Sequence, residues 1–296
     1  MDLFVVILNW NAAEDTIQCV KNMDEWQVIQ PTIWVVDNNS HDDSVDQIRQ
    51  RYPSVRLICN KTNLGFSGGS NRGMEAALAE GNAPILLLNN DARIGEDDVI
   101  RLGQTLEENR SWGFIMPLLV EAETGELVTV GRKNPVTHLQ SAILELPDGD
   151  PMVEVEAVSG TAVLVNPEML RQVGLLDEQF FFSAEIAELC LRANKAGYKC
   201  AVDVRASASH SVGSSPSLRS TLYVYYIVRN RFLILRKHYR YHVPLFLFWV
   251  AYSLALAGKL LLLGERPSAR AAWLASWDGV WGRFGNQNER IMGQGM

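Results

Sequence analysis

The residues in this chain best suited to chemistry are carboxylates and amides that stand where apolar runs end. In Ile85-Leu86-Leu87-Leu88-Asn89-Asn90-Asp91-Ala92-Arg93, four consecutive apolar residues stop abruptly at two amides and a carboxylate. Such a run reads as a buried parallel strand whose carboxyl end opens into a cleft, the place where open α/β sheets bind ligands. Asp91 then leaves the core at the cleft floor. A hard divalent cation bridging a diphosphate takes most of its oxygens from the phosphates, so one protein carboxylate suffices. The competing reading is a β-turn in which Asn89-Asn90-Asp91 caps the following helix. A second feature is Asn63-Leu64-Gly65-Phe66-Ser67-Gly68-Gly69-Ser70-Asn71-Arg72-Gly73. This loop opens an alanine-rich helix, and its glycines let backbone approach a ligand at the helix's positive end. A dehydrogenase fingerprint would follow the first strand, whereas this loop follows the third, which counts against a nicotinamide cofactor.

The elements that must carry these residues are legible as an alternation. Leu3 to Leu8 is a strand-prone apolar run ended by Asn9-Trp10-Asn11, and Asn11 is placed to cap a helix that turns Ile17, Val20 and Met23 inward. Thr32 to Val36 ends in Asp37-Asn38-Asn39-Ser40 and precedes a helix with Val45, Ile48 and Tyr52 on one face. Val55 to Cys59 is a third strand, and Ile85 to Leu88 is the fourth. Strand, polar tip and helix in alternation specify a mostly parallel sheet with helices on both faces. Beyond a helix at Glu96 to Glu108 the pattern changes. Gly113 to Val120 and Leu127 to Val130 read as an antiparallel pair, and Asn134 to Pro151 is irregular. Val153 to Val165 is a strand interrupted at Ser159-Gly160-Thr161. Asn166 caps a short helix with Pro167 at its first position, Gly197 stops a helix from Ser183 to Ala196, and Lys199 to Val204 is the last strand.

Composition narrows the function classes. The net charge of −7 argues against nucleic acid as a partner. The charge is uneven: Val204 to Gly264 holds no Asp or Glu and carries +8, leaving −15 elsewhere. That asymmetry points to a surface facing anionic lipid or a polyanionic ligand. Within this tail, Pro244 to Leu263 is a 20-residue apolar span interrupted by Lys259, a borderline length for crossing a bilayer. Trp273, Trp277 and Trp281 recur at four-residue spacing. A bilayer-spanning helix, an interfacial hairpin with snorkelling Arg and Lys, and an ordinary buried interface all fit this stretch. The four cysteines have no metal-ligand spacing and read as reduced core thiols of a cytosolic chain. Leu3 to Leu8 is too short, and follows an acidic residue, for a signal-peptide core.

Five segments in this order resemble glycosyltransferase family 2 of the GT-A fold, and within it the rhamnosyltransferase-like enzymes of bacterial surface polysaccharides. They are Val6 to Asn11, Val35 to Ser44, Asn63 to Gly73, Leu88 to Asp91 and Phe181 to Ala193. The resemblance implies a catalytic domain over residues 1–215 and a helical, basic and apolar region over 216–296. It implies a nucleotide site that includes Asn9, Asn11, Asp37, Asn38, Asn63, Gly65, Asn71, Arg72 and Asn90, with Asp37 accepting a hydrogen bond from a uracil or thymine imide. Asp91 matches the last position of the family's metal motif, where Asn89 replaces the more usual first aspartate. His210 matches a histidine that completes the metal site, and an imidazole suits Mn²⁺ better than Mg²⁺.

The chain departs from the family pattern at the acid/base helix, where Glu185-Ile186-Ala187-Glu188 has Ile186 in place of an aspartate. Glu185, in the first helical turn where the dipole favours the ionised form, is the expected base, and Glu188 is the alternate. The expected reaction is inverting transfer of a sugar from a dTDP- or UDP-sugar to a glycan or lipid-linked acceptor at the cytoplasmic face of the membrane. A non-catalytic nucleotide-sugar or glycan-binding scaffold is the competing class, supported by Ile186. A sugar nucleotidyltransferase lacks its expected loop, since Asn9-Trp10-Asn11 is not Gly-rich. The sequence leaves the oligomeric state open.

Overall fold

Each apolar run becomes a strand that ends at its first polar residues, because a buried strand stops where its side chains need solvent or hydrogen-bond partners. The computed structural model describes residues 1–146, 149–211 and 217–292. In chain order the elements are β1 (Phe4–Asn9), α1 (Ala13–Asp24), β2 (Thr32–Asp37), α2 (Ser44–Arg51), β3 (Arg56–Cys59), α3 (Gly65–Glu80), β4 (Ile85–Asn89), β5 (Ala92–Ile94) and α4 (Glu96–Glu108). Next come β6 (Trp112–Glu121), β7 (Leu127–Thr129), β8 (Gly131–Arg132), β9 (Ala142–Ile143), β10 (Met152–Val155), β11 (Ala162–Val165) and α5 (Pro167–Val173). A 3-10 turn at Glu178–Phe180 leads to α6 (Glu185–Lys195) and β12 (Lys199–His210). The chain continues with α7 (Ser217–His238), α8 (Val243–Leu262), α9 (Arg266–Trp281) and α10 (Asn288–Met292).

The central sheet is mixed, in the order β10-β12-β6-β11-β4-β1-β2-β3. Its parallel half, β4-β1-β2-β3, is in the register that aligns the polar strand ends. Asn9 stands opposite Asp37 across β1 and β2, and Leu8 opposite Asn89 across β1 and β4. The other half departs from a mostly parallel sheet because β11 runs antiparallel to both β4 and β6. The interrupted stretch Val153 to Val165 thus supplies two strands for different places: β10 goes to the edge beside β12 and β11 to the middle. The short strand β5 was not expected. It pairs antiparallel with a β12 longer than predicted, setting Ala92 opposite His210. β12 reaches that far after a bulge between Asp203 and Ser207, where Arg205 folds back on the buried Asp203 carboxylate.

From Gly65 onward the Gly-rich stretch is helix, not a loop. Gly69 and Gly73 of α3 face the sheet so closely that a Cβ at Gly69 would collide with Leu8 and one at Gly73 with Val6, with Val36 Cγ2 at 3.1 Å from the latter. Close helix–sheet packing is their role here. Asn11 does not cap α1; its Oδ1 accepts from His41 N at 2.7 Å, and the N-cap position is Ala12. Asn166 caps α5 as expected, accepting from the amides of Glu168 and Met169. All four cysteines are free, and Cys59 is exposed instead of lying in the core.

Two units emerge: Met1–Leu176 with Ile186–Val212, and Asp177–Glu185 with Gly213–Met296. A single boundary at 215/216 therefore misses one segment, Asp177–Glu185, whose carbonyls are held by side chains of α7 (below). In the second unit α7 lies on α9, where a Cβ at Gly279 would run into the Phe232 ring. The buried Asp278 of α9 accepts from Tyr225 Oη at 2.8 Å and lies 3.2 Å from Arg290. α8 has a mean hydropathy of 1.9 and is only 17% buried over its most apolar window. Trp273, Trp277 and Trp281 form an exposed face of α9, with ring centroids 6.1 and 5.7 Å apart along the row.

Gly73→Ala tests the packing argument. Helix propensity alone favours alanine by about 1 kcal/mol, but forcing a methyl into a filled interface costs typically 1–3 kcal/mol. A lower urea midpoint is expected, and an equal or higher one would mean α3 is not pressed onto β1.

Candidate active site

A parallel sheet buries the ends of β1 and β2 together, so the polar groups there must satisfy one another. Asn9 is fully buried and Asp37 nearly so. Asn9 Nδ2 donates to Asp37 Oδ1 at 2.8 Å and to Ser40 Oγ at 3.2 Å, and its Oδ1 accepts from Thr16 Oγ1 at 2.7 Å. Asp37 also receives Ser40 Oγ at 2.6 Å and Ser40 N at 3.0 Å. Thr16 Oγ1 in turn accepts from Asn90 Nδ2 at 3.1 Å. An unbroken chain, Asp37–Asn9–Thr16–Asn90, therefore joins the tip of β2 to the turn that carries Asp91. Thr16 gave no signal in the sequence, because a single threonine on an amphipathic helix reads as ordinary packing.

Several residues expected at the nucleotide build the scaffold beneath it. All hydrogen-bonding positions of the Asn38 amide are taken: it donates to Asn63 Oδ1 and Gly65 O, each at 3.0 Å, and accepts from Asn60 Nδ2 at 3.1 Å and Leu64 N at 3.0 Å. Asn63 Oδ1 also accepts from Gly65 N at 2.8 Å, and Gly65 takes a φ of 71° that suits glycine. Asn71 is buried and clamps Leu176, donating to its carbonyl at 2.9 Å and accepting from its amide at 3.0 Å. Arg72 pairs with Glu75 on the exposed side of α3 at 2.9 Å. Asn9, Asn38, Asn63 and Asn71 thus position backbone and carboxylate.

Asp91 occupies the turn between β4 and β5, and the β5–β12 pairing brings His210 to it. His210 Nε2 lies 3.2 Å from Asp91 Oδ1, with side-chain exposures of 22% and 27%. Asp91 Oδ1 is buried without a hydrogen-bond partner, the imidazole being close but out of hydrogen-bonding alignment. A carboxylate oxygen left in that state, with an imidazole nitrogen beside it, fits a divalent cation that prefers O and N donors. Among the described residues no third His, Cys, Asp or Glu joins them, so a cation here depends on ligand oxygens. The Cys19 thiol is pushed up to about 12, first by burial and then by the Asp91 charge.

At the acid/base helix, the two glutamates have different environments. Glu185 is the first residue of α6 and is 7% exposed. It follows Phe181, Ser183 and Ala184, with φ of 61°, 71° and 70°. Glu188 is fully buried and pairs with Arg192 Nε at 2.9 Å. The Arg192 guanidinium also holds the carbonyls of Val173 and Leu175, each at 2.5 Å. Glu188 therefore secures the turn after α5. Ile186 points into the core, where its Cγ1 would lie 2.9 Å from a Cβ at Gly160.

Residues 4–127 match the sequence family described as Glycosyl transferase family 2. The chain is 28% identical to the low-salt glycan biosynthesis hexosyltransferase Agl10 of Haloferax volcanii, covering 78% of this chain and 75% of that one. It is 24% identical to the dTDP-rhamnosyl transferase RfbF of Shigella flexneri, over 85% and 86%. Identity to the N-acetylglucosaminyl-diphospho-decaprenol L-rhamnosyltransferase of Mycobacterium tuberculosis is 27%, over 63% and 69%. Among solved structures, the mannosyltransferase PcManGT from Pyrobaculum calidifontis, in complex with GDP-Man and Mn²⁺, superposes with a TM-score of 0.59 at 13% identity. That likeness covers 95% of this chain and 87% of the mannosyltransferase.

Glu188→Gln separates support from catalysis. Loss of the buried charge leaves Arg192 unpaired and is expected to cost up to about 3 kcal/mol in chemical denaturation; unchanged stability with lost transfer activity would return Glu188 to the base role. The strand-end carboxylates, the match over residues 4–127 and the fold together make the chain similar to the rhamnosyltransferase-like enzymes of glycosyltransferase family 2, with the GT-A fold.

Proposed function

We propose that the enzyme transfers a hexose or deoxyhexose, with inversion, from a dTDP- or UDP-sugar to a glycan or lipid-linked acceptor in bacterial surface-polysaccharide synthesis. The observation that carries this reading is the hydrogen-bonded chain that ties Asp37 to the Asn90-Asp91 turn, with His210 beside Asp91. One end suits a pyrimidine imide, which needs an acceptor oxygen fixed in orientation; the other suits a diphosphate and its cation. Asp91 and His210 would hold Mn²⁺ or Mg²⁺, which stabilises the charge on a departing nucleoside diphosphate. Asn9 and Ser40 orient the Asp37 carboxylate. Glu185 takes the proton of the acceptor hydroxyl as its oxygen attacks the anomeric carbon opposite the nucleotide. Glu188, occupied by Arg192, leaves that task to Glu185.

Relatives named for dTDP-rhamnosyl transfer and for a diphospho-decaprenol acceptor support the donor and acceptor classes. The under-buried, apolar α8, the tryptophan face of α9 and the acid-free basic stretch support attachment to the anionic, cytoplasmic leaflet of a membrane.

Thermal shift with dTDP-, UDP- and GDP-sugars, each with and without Mn²⁺, tests the reading. A donor present at a hundred times its Kd stabilises by about 2.7 kcal/mol, a rise of roughly 5 °C or more. The expected pattern is a Mn²⁺-dependent rise with dTDP- or UDP-sugars that Asp91→Asn and His210→Ala remove and that Asp37→Ala weakens for both bases. A response confined to GDP-sugars, or one indifferent to Mn²⁺ and to both substitutions, would overturn it.

A further inference from the structure

Arg229 and Asn230 of α7 are both fully buried and adjacent in sequence, and neither belongs to any feature described so far. Burying a guanidinium costs several kcal/mol unless it is well hydrogen-bonded, so a position needing only bulk would hold an apolar residue. The Arg229 fork grips Asn230 Oδ1 twice, through Nε at 2.9 Å and Nη2 at 2.7 Å. That contact fixes which way the Asn230 amide faces. Its Nδ2 is thereby aimed at the backbone carbonyls of Phe180, Phe182 and Ser183, at 3.1, 2.8 and 2.6 Å. Arg229 Nη2 adds the carbonyls of Gln179 and Phe180 at 3.1 and 2.8 Å, and Nη1 the carbonyl of Gly285 at 2.6 Å. The rings of Tyr226, Tyr225 and Phe284 surround the cation at 4.8, 5.5 and 5.7 Å.

What the pair holds is unusual backbone. Among the described residues the non-glycine positions with positive φ are Asn11 and Asn39, at the tips of β1 and β2, and then Phe181, Ser183 and Ala184. Left-handed backbone costs a side-chain-bearing residue roughly 1–2 kcal/mol, and it persists only where its surroundings over-determine it. Three such residues in four positions, immediately ahead of Glu185, are paid for by side chains of one helix. We infer that Arg229 and Asn230 are positioning residues: by fixing residues 179–183 they set the placement of the adjoining Glu185 carboxylate. This rests on Glu185 being the base and extends that reading to residues that touch no substrate.

Asn230→Asp is the discriminating variant. It keeps size and gains an ion pair with Arg229, so the fold is retained, but it has no hydrogen to give to the three carbonyls. Expected is a fall in kcat of roughly 10- to 100-fold, with dTDP affinity by calorimetry and donor KM within about twofold of the parent. Amide exchange at Phe181 and Phe182 should accelerate while the melting temperature holds. A parent inactive on dTDP- and UDP-sugars would sink the transferase reading and the positioning role with it. An active parent whose Asn230→Asp variant keeps its kcat, or loses kcat, affinity and melting temperature together, would sink the positioning role alone.

Discussion

The register of three parallel strands is the constraint from which the site follows. Because β1 pairs with both β2 and β4, the first polar residues of all three arrive at one edge of the sheet. Burial there leaves no water to satisfy them, and a buried amide without partners costs about 1–3 kcal/mol. Asn9, in the centre, must bond sideways to Asp37 and to Thr16. The same bonds that make burial tolerable also fix the orientation of a carboxylate, so the structural and functional requirements at this edge have one solution.

A different physical problem arises between α5 and α6, where the chain is irregular and has no ladder to take up its carbonyls. Backbone groups in such a run need side-chain partners. In the sheet unit, Arg192 takes the carbonyls of Val173 and Leu175, and Asn71 takes both polar groups of Leu176. In the helical unit, Arg229 and Asn230 take those from Gln179 to Ser183. Buried polar residues that look expensive one at a time are thus a shared device for holding a non-repetitive segment still. Ile186 fits this picture: the segment is anchored by its carbonyls, and the side chain at 186 is free to pack against Gly160 and Phe66 in the core.

The helical unit has the opposite character outward. Leu247, Phe248, Leu254 and Leu261 to Leu263 are exposed along and just beyond α8, and the α9 tryptophans are each about half exposed. Inside, Asp278 accepts from Tyr225 and lies 3.2 Å from Arg290. Apolar groups outside and polar groups inside invert the usual arrangement of a water-facing bundle, and from Val204 to Gly264 all formal charge is positive.

From residue order alone, the alternation of strands, polar tips and helices was legible through Ile85 to Leu88, because hydrophobic period and chain-breaking residues are local signals. So were Asp91 as a strand-end carboxylate, Asn166 as a cap, and the tryptophan face of α9. Pairing decided the rest. His210 meets Asp91 only because β5, three residues long, pairs with a bulged β12, and neither feature has a local signature. Glycines 69 and 73 looked like ligand-approach residues and proved to be contact points between helix and sheet, a distinction that depends on what lies opposite them. The partners of Asn38, Asn71 and Glu188 are equally invisible in residue type. A side chain's chemistry is written in its type, whereas its availability is set by which neighbours the tertiary fold brings within 3 Å.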